Sequence, residues 1–166
     1  DGKIDNLRKV LNREPSSENS VKNIFHLRSD LQKANEKNLG VFRNQTLIEE
    51  NLESLKRISG EFESLSLKNK SLAWNDELVS YLEFENLLLN SWATAFAALN
   101  RQETRGAHYR SDFKKRDDEK FFHHSLVRYK NICDKITQNE LEFSARRVRV
   151  VSEIKELNLV PEIRKY

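Results

Sequence analysis

The sequence predicts a mainly α fold: a three-helix bundle, spectrin-repeat-like, followed by a short β-hairpin and an extended C-terminal tail. Three observations lead there. Apolar residues recur every three or four positions through three long stretches, the period of a half-buried helix. Only four Gly and two Pro occur among 166 residues, too few for the many tight turns of a β-sandwich or barrel. Near the C-terminus the period shortens to two and β-branched residues accumulate.

In chain order, residues 3–12 suit a short helix, interrupted at Glu14-Pro15 because proline cannot continue the hydrogen-bond ladder. A second helix fits Val21 to about Lys37, with Ser20 as N-cap and Val21, Ile24, Leu27, Leu31 and Ala34 on one face; Gly40 ends it. A third fits Gln45 to about Leu65, with the stripe Ile48, Leu52, Leu55, Ile58, Phe62, Leu65. Residues 66–75 are polar and aperiodic, hence a loop. The longest helix runs from Asp76 to about Arg105, capped by Asn75, with Leu78, Leu82, Leu89, Trp92, Phe96 and Leu99 as its apolar positions and Leu88 and Ala95 beside them. Gly106 is placed just past its end, where a positive φ favours glycine. Strands over Phe122–Tyr129 and Glu140–Val151 form the hairpin, with a loop near 131–139, and residues 160–166 form the tail. The expected division is 1–106 for the bundle and 107–166 for the charged loop, hairpin and tail, which pack on the same domain.

Composition narrows the function. Leu, Ile, Val and Phe make up 28% of the chain, enough for a packed core. The net charge of +3 is uneven, with +5 on residues 101–166 and −2 on the rest. Such a basic end suits an acidic partner surface; no nucleic-acid-binding signature accompanies it. A single cysteine, Cys133, excludes an internal disulfide and a cysteine-built zinc site, and no base is spaced to activate it as a nucleophile. The longest apolar run, Trp92 to Leu99, is far below the ~20 residues of a membrane span, and no signal peptide is visible. Glycines at 2, 40, 60 and 106 are too scattered for a dinucleotide or phosphate loop. Asp117, Asp118, His123 and His124 are metal-ligand types without a metal-site spacing, and adjacent histidines on a strand face opposite ways. With no Met and Asp1 first, the chain is expected to be the last part of something longer.

The densest segment is Arg101-x-Glu103-x-Arg105-Gly106-Ala107-His108-x-Arg110-x-Asp112-Phe113, followed by Arg116-Asp117-Asp118 and His124-Ser125-Leu126. Arginine forks pair bidentately with carboxylates, so the segment suits docking onto an acidic or carbonyl-rich surface. It resembles the C-terminal signature of the succinate dehydrogenase and fumarate reductase flavoprotein subunit. Leu31-Gln32 with Val41-Phe42-Arg43, then Leu82-Glu83-Phe84-Glu85-Asn86-Leu87 with Ala93-Thr94-Ala95, and finally Pro161-x-Ile163-Arg164-x-Tyr166, resemble the same family, so the likeness runs over about residues 25–166. Departures are Asn35 for a usual Met, Thr104 for Ser, Lys114 for Pro and Phe121-Phe122 for a Trp. The short link from Asp118 to His124 is similar to bacterial forms.

The resemblance implies a part of an FAD-dependent oxidoreductase that converts succinate to fumarate and passes electrons to an iron–sulfur subunit and quinone. It implies that catalytic residues, FAD and any metal lie outside this segment, which binds no cofactor alone. The docking residues toward the flavin and capping domains are then Arg101, Glu103, Arg105, His108, Arg110, Asp112, Arg116 and Asp117. The iron–sulfur subunit is the further partner; nucleic acid and a direct membrane span are not expected. The implied location is peripheral, on the cytoplasmic face of the bacterial inner membrane or the mitochondrial matrix side. Fumarate reductase, L-aspartate oxidase and a stand-alone helical interaction module are the alternatives.

Overall fold

The computed structural model describes residues 2–14, 23–130, 141–150 and 153. Helix α1 spans Gly2–Leu11, α2 Ile24–Asn38, α3 Gln45–Glu63 and α4 Asp76–Asn100. Strand β1 is Phe42–Arg43 and β2 is Tyr109–Arg110; α5 is Asp118–Phe121, β3 is His123–Tyr129 and β4 is Leu141–Arg147.

Helices α2, α3 and α4 pack on one another around a core in which Ile24, Leu27, Ile48, Leu55, Ile58, Phe84, Leu88 and Trp92 are almost fully enclosed. Each such side chain contributes about 1.5–3 kcal/mol relative to exposure. The expected stripe Ile48, Leu52, Leu55, Ile58, Phe62, Leu65 is buried throughout, although α3 ends at Glu63 and Leu65 lies just past it. Phe62 stacks on Tyr81 at 4.4 Å between ring centroids, and Trp92 Nε1 donates to Ser59 Oγ at 3.0 Å, fixing α4 against α3. A polar seam also crosses the bundle. Asn51 Nδ2 donates to Ala34 O and Asn35 Oδ1, and Asn35 Nδ2 donates to Ser91 Oγ. Asn35 is thus held by polar partners on α3 and α4.

Several boundaries differ from those expected. The cap of α2 is Asn23, whose side chain accepts from His26 N at 3.0 Å; Ser20 and Val21 lie outside the described residues. Helix α4 presents Leu78, Tyr81, Phe84, Leu88, Trp92, Ala95 and Ala98 to the core, while Leu82 is exposed and Leu89, Phe96 and Leu99 are only partly covered. Its surface is apolar on most sides, so packing rather than periodicity selects the face. The second side is taken by the hairpin: Tyr129 Oη donates to Leu89 O, and Phe96 meets Phe143 edge-on at 6.1 Å.

Helix α4 also ends at Asn100, short of Arg105. Gly106 therefore caps no helix. Its φ of +57° opens a two-residue turn in which Arg105 and His108 exchange backbone hydrogen bonds of 2.9 and 3.1 Å. Of the two central residues only Gly106 has a positive φ, the pattern of a type II′ turn.

Strands β3 and β4 are antiparallel, with His123 opposite Arg147 and Tyr129 opposite Leu141. Phe122 is the C-cap of α5, so β3 begins at His123 rather than at the expected Phe122, and β4 stops at its partner Arg147, short of the expected Val151. Cys133, the hairpin loop and the tail 160–166 lie outside the described residues. One pairing was not legible in advance. Phe42 and Arg43 run parallel to Tyr109 and Arg110, joining the α2–α3 link to the segment after α4.

Candidate functional site

Segment 101–118 folds back over the end of the bundle where α4 finishes and α3 begins, and its charged groups close on one another. Arg101 takes the C-cap position of α4 with extended backbone. Its Nη1 donates to Glu103 Oε1 at 2.6 Å and Phe121 O at 3.0 Å. Its Nη2 donates to His123 O at 2.5 Å and Ser125 Oγ at 3.0 Å. One guanidinium thus fastens the helix end to the hairpin.

Glu103 is fully buried, and both carboxylate oxygens are saturated. Oε1 accepts from Arg101 and from Arg105 Nε at 2.8 Å, while Oε2 accepts from Arg105 Nη2 at 3.0 Å and Asp117 N at 2.8 Å. Burial alone would raise its pKa; the bonds from Arg105, Asp117 N–H and Arg101 outweigh that and hold it below the usual carboxylate value. Arg105 also reaches Asp118 at 2.6 Å, and Asp118 pairs with Arg116 at 2.7 Å. Asp117 caps α5 through Glu119 N and Lys120 N.

Arg110 is fully buried as well. Nε and Nη2 clasp the two oxygens of Asp112 at 2.8 and 2.7 Å, and Nη1 donates to Ala98 O at 2.7 Å. Asp112 Oδ2 in turn accepts from Gln45 N at 2.9 Å, the first amide of α3. The pair therefore places a cation on the carbonyl end of α4 and an anion on the amide end of α3, each favourable to its helix dipole. The Arg110 guanidinium, ahead of smaller contributions from backbone amides, brings the Asp112 carboxyl down to about 2. Thr104 Oγ1 accepts from Arg110 N at 2.9 Å and donates to Phe113 O at 2.8 Å.

His108 Nε2 lies 2.9 Å from Arg101 O. A carbonyl can only accept, so Nε2 carries the proton and Nδ1 is the acceptor facing Arg43 Nη1 at 3.4 Å. Burial, and then the charges of Arg43, Arg110 and Arg101, depress its pKa and keep the ring neutral.

Of the eight residues singled out in the sequence, Arg101, Glu103, Arg105, His108, Arg110 and Asp112 are brought into one connected cluster. Glu103 and Arg110 have no exposed surface there, and their side chains meet groups of this chain. Arg116 and Asp117 stand at the edge, beside a shallow groove lined by Phe113, Lys114, Lys115 and Glu119. Arg43 belongs to the cluster too; its motif Val41-Phe42-Arg43 is visible in the sequence, but its place here is not, since His108 is 65 positions away. Among the described residues, no group of three or more His, Cys, Asp or Glu could hold a metal ion, and no helix is long and apolar enough to cross a membrane.

The arrangement holds no nucleophile activated by a base. It also has no glycine-rich strand-to-helix turn to cradle a dinucleotide, since Gly60 sits inside α3 and Gly106 in a turn. The described residues therefore do not fit an FAD site.

A profile of the family described as fumarate reductase flavoprotein C-term matches residues 28–166. The mitochondrial succinate dehydrogenase [ubiquinone] flavoprotein subunit of Oryza sativa is 35% identical over 128 residues, which cover 77% of this chain and 19% of the rice protein. The succinate dehydrogenase flavoprotein subunit of Rickettsia conorii is 34% identical, over 75% of this chain and 21% of its own length. The 8-methylmenaquinol:fumarate reductase flavoprotein subunit of Wolinella succinogenes is 34% identical over 64% of this chain and 18% of its own. The chain thus spans about a fifth of the length of the curated relatives it matches. Among solved structures, E. coli quinol fumarate reductase FrdA superposes with a TM-score of 0.79 at 21% identity, covering 98% of this chain and 25% of FrdA. Mycobacterium smegmatis Sdh1 in its apo form gives 0.74 at 20% identity, over 96% and 28%. These two likenesses establish the fold.

Proposed function

The chain belongs to the fumarate reductase flavoprotein C-terminal family, and from that premise we propose that it braces the flavin-bearing part of a succinate dehydrogenase without doing chemistry itself. In that reading the whole protein oxidises succinate to fumarate through FAD, and electrons leave by an iron–sulfur subunit toward quinone. FAD and the reacting groups belong to the part outside residues 1–166. The bundle of residues 1–106 and the charged segment, hairpin and tail of 107–166 act as one packing unit. The protein sits as a peripheral subunit at the cytoplasmic face of a bacterial inner membrane or the matrix side of a mitochondrial one.

The observation that carries this is the closed cluster of segment 101–118. Glu103 and Arg110, both fully buried, consume their charge on groups of the same chain. The motif therefore supports a rigid surface at one end of the bundle. Arg105, His108, Arg116 and Asp117, partly exposed on that surface, are the docking groups, and Arg101, Glu103, Arg110 and Asp112 hold them in place. Succinate dehydrogenase is favoured over fumarate reductase because the tail Pro161-x-Ile163-Arg164-x-Tyr166 resembles the former.

The test compares the 166-residue chain with the intact flavoprotein. The chain alone should bind no FAD by fluorescence titration and reduce no dye with succinate. Deleting it from the intact protein should abolish stable flavin retention. Tight FAD binding by the chain alone would refute the proposal.

A further inference from the structure

Arg43 differs from the other arginines of the cluster. Arg101, Arg105, Arg110 and Arg116 each meet a carboxylate at 2.6–2.8 Å. Among the described residues Arg43 meets none. Among those residues Nε donates to Gly40 O at 2.7 Å, Nη1 makes the long 3.4 Å contact with a neutral imidazole, and Nη2 meets no acceptor. Removing a guanidinium partly from water costs free energy that the Gly40 carbonyl returns only in part, and no carboxylate among the described residues returns the rest. The depressed pKa of Arg43, caused by burial, is the same imbalance in another form.

The surface around it is apolar and stiff. Val41 is 64% and Phe42 74% exposed. Phe42 meets Tyr109 edge-to-face at 5.3 Å, and β1 is fastened to β2 by the parallel pairing and by Ser111 N donating to Arg43 O at 2.8 Å. A large apolar side chain held rigidly in water beside an unmatched cation is the composition of an interface centre.

We propose that Arg43, Phe42, Val41 and Tyr109 form a docking contact for an Asp or Glu side chain, flanked by an apolar residue, on the flavin-bearing part of the same polypeptide. This rests on the bracing role above and names the chemistry of its partner. Charge complementarity selects a carboxylate. The flanking apolar groups select a protein surface over a small free dicarboxylate, which needs several converging donors in an enclosed pocket.

The intact flavoprotein carrying Arg43→Lys, treated with a zero-length carbodiimide, tests this. The substituted amine should form an amide with one Asp or Glu outside residues 1–166, identified by peptide mass spectrometry and absent when the protein is first denatured. A link only to carboxylates within residues 1–166, the C-terminal tail included, or no link at all, overturns the proposal. Lys114 and Lys115, at the edge of the same end of the bundle, report on docking itself. If they couple to the flavin-bearing part and the amine at 43 does not, the Arg43 contact fails while the bracing role stands; if none couples, both fail. Phe42→Ser, at an exposed position, should leave the chain folded and speed protease cleavage between the two parts about tenfold. Unchanged cleavage overturns the proposal equally.

Discussion

Arg110→Met should destabilise the chain by about 3 kcal/mol, and each contribution can be traced to a contact. Asp112 titrates at about 2 instead of 3.8. At about 1.36 kcal/mol per pKa unit that bounds the pairing at about 2.4 kcal/mol. The Asp112 side chain is 29% exposed, and solvent screening lowers the figure to about 1.5 kcal/mol. Ala98 O loses its 2.7 Å donor at the end of α4, about 1 kcal/mol for a buried acceptor left unpaired. The guanidinium also leaves the face of Phe113, 5.0 Å away, for about 0.5 kcal/mol. Urea unfolding of wild type, Arg110→Met, Asp112→Asn and the double variant measures the total and the coupling, which should be at least about 1 kcal/mol. The pH dependence carries an independent sign. A depressed carboxyl contributes stability that is complete above its unfolded pKa of 3.8 and is lost as pH falls through about 2. Wild type should therefore lose this increment between those values, and Arg110→Met should not. A single variant within about 0.5 kcal/mol of wild type, or an acid limb unchanged by it, would refute the reasoning.

Three further outcomes follow from single contacts. Ser59→Ala removes the acceptor of the buried Trp92 Nε1 and should cost about 1–2 kcal/mol in urea unfolding. Trp74 is fully exposed with a φ of +55°, a conformation costly for a large side chain, so Trp74→Gly should leave stability equal or raise it by up to about 1 kcal/mol; a loss beyond about 1 kcal/mol would contradict the strain. The lowered pKa of His108 makes stability complete above its unfolded value of about 6.5, and stability is lost as pH falls toward the folded value, because the unfolded chain binds the proton first. Melting temperature between pH 7.5 and 5 should show this slope, and His108→Gln should flatten it.

The bundle was legible where one face of a helix is apolar and the others are not. Helix α3 is such a case: its five stripe residues, and Leu65 just past its end, are all buried. Helix α4 is only partly legible, for the opposite reason. With leucines at 82, 87, 88 and 89 the period has several solutions, and only Phe62 and Ser59 on α3, with Tyr129 on β3, decide which side faces inward. The end of α4 is not legible locally because its stop signal lies elsewhere in the chain: Arg110 Nη1 caps the carbonyl of Ala98, twelve positions back. The short parallel pair β1–β2 has no period to detect. The site was half legible. Alternating arginine and acid marks a place where charges must be satisfied, but not whether a partner or the chain itself satisfies them.

In the proposed bracing role, the high charge of a docking segment has a physical rationale. An interface of exposed, flexible arginines loses side-chain entropy on assembly and gives little in return, since surface ion pairs contribute about 0–1 kcal/mol. Here the ordering is completed during folding. Glu103 fixes Arg101 and Arg105, and Asp112 fixes Arg110 across the facing ends of two helices. The β1–β2 pair built on that frame then holds Phe42 and Arg43 in place before any partner arrives. A partner meeting this surface pays little to order it, which is the condition under which a small contact binds tightly. The charge that folding leaves unmatched is then the informative one. Among the described residues of the cluster it is Arg43, whose motif Val41-Phe42-Arg43 the sequence offers without showing that it lies beside the charged segment.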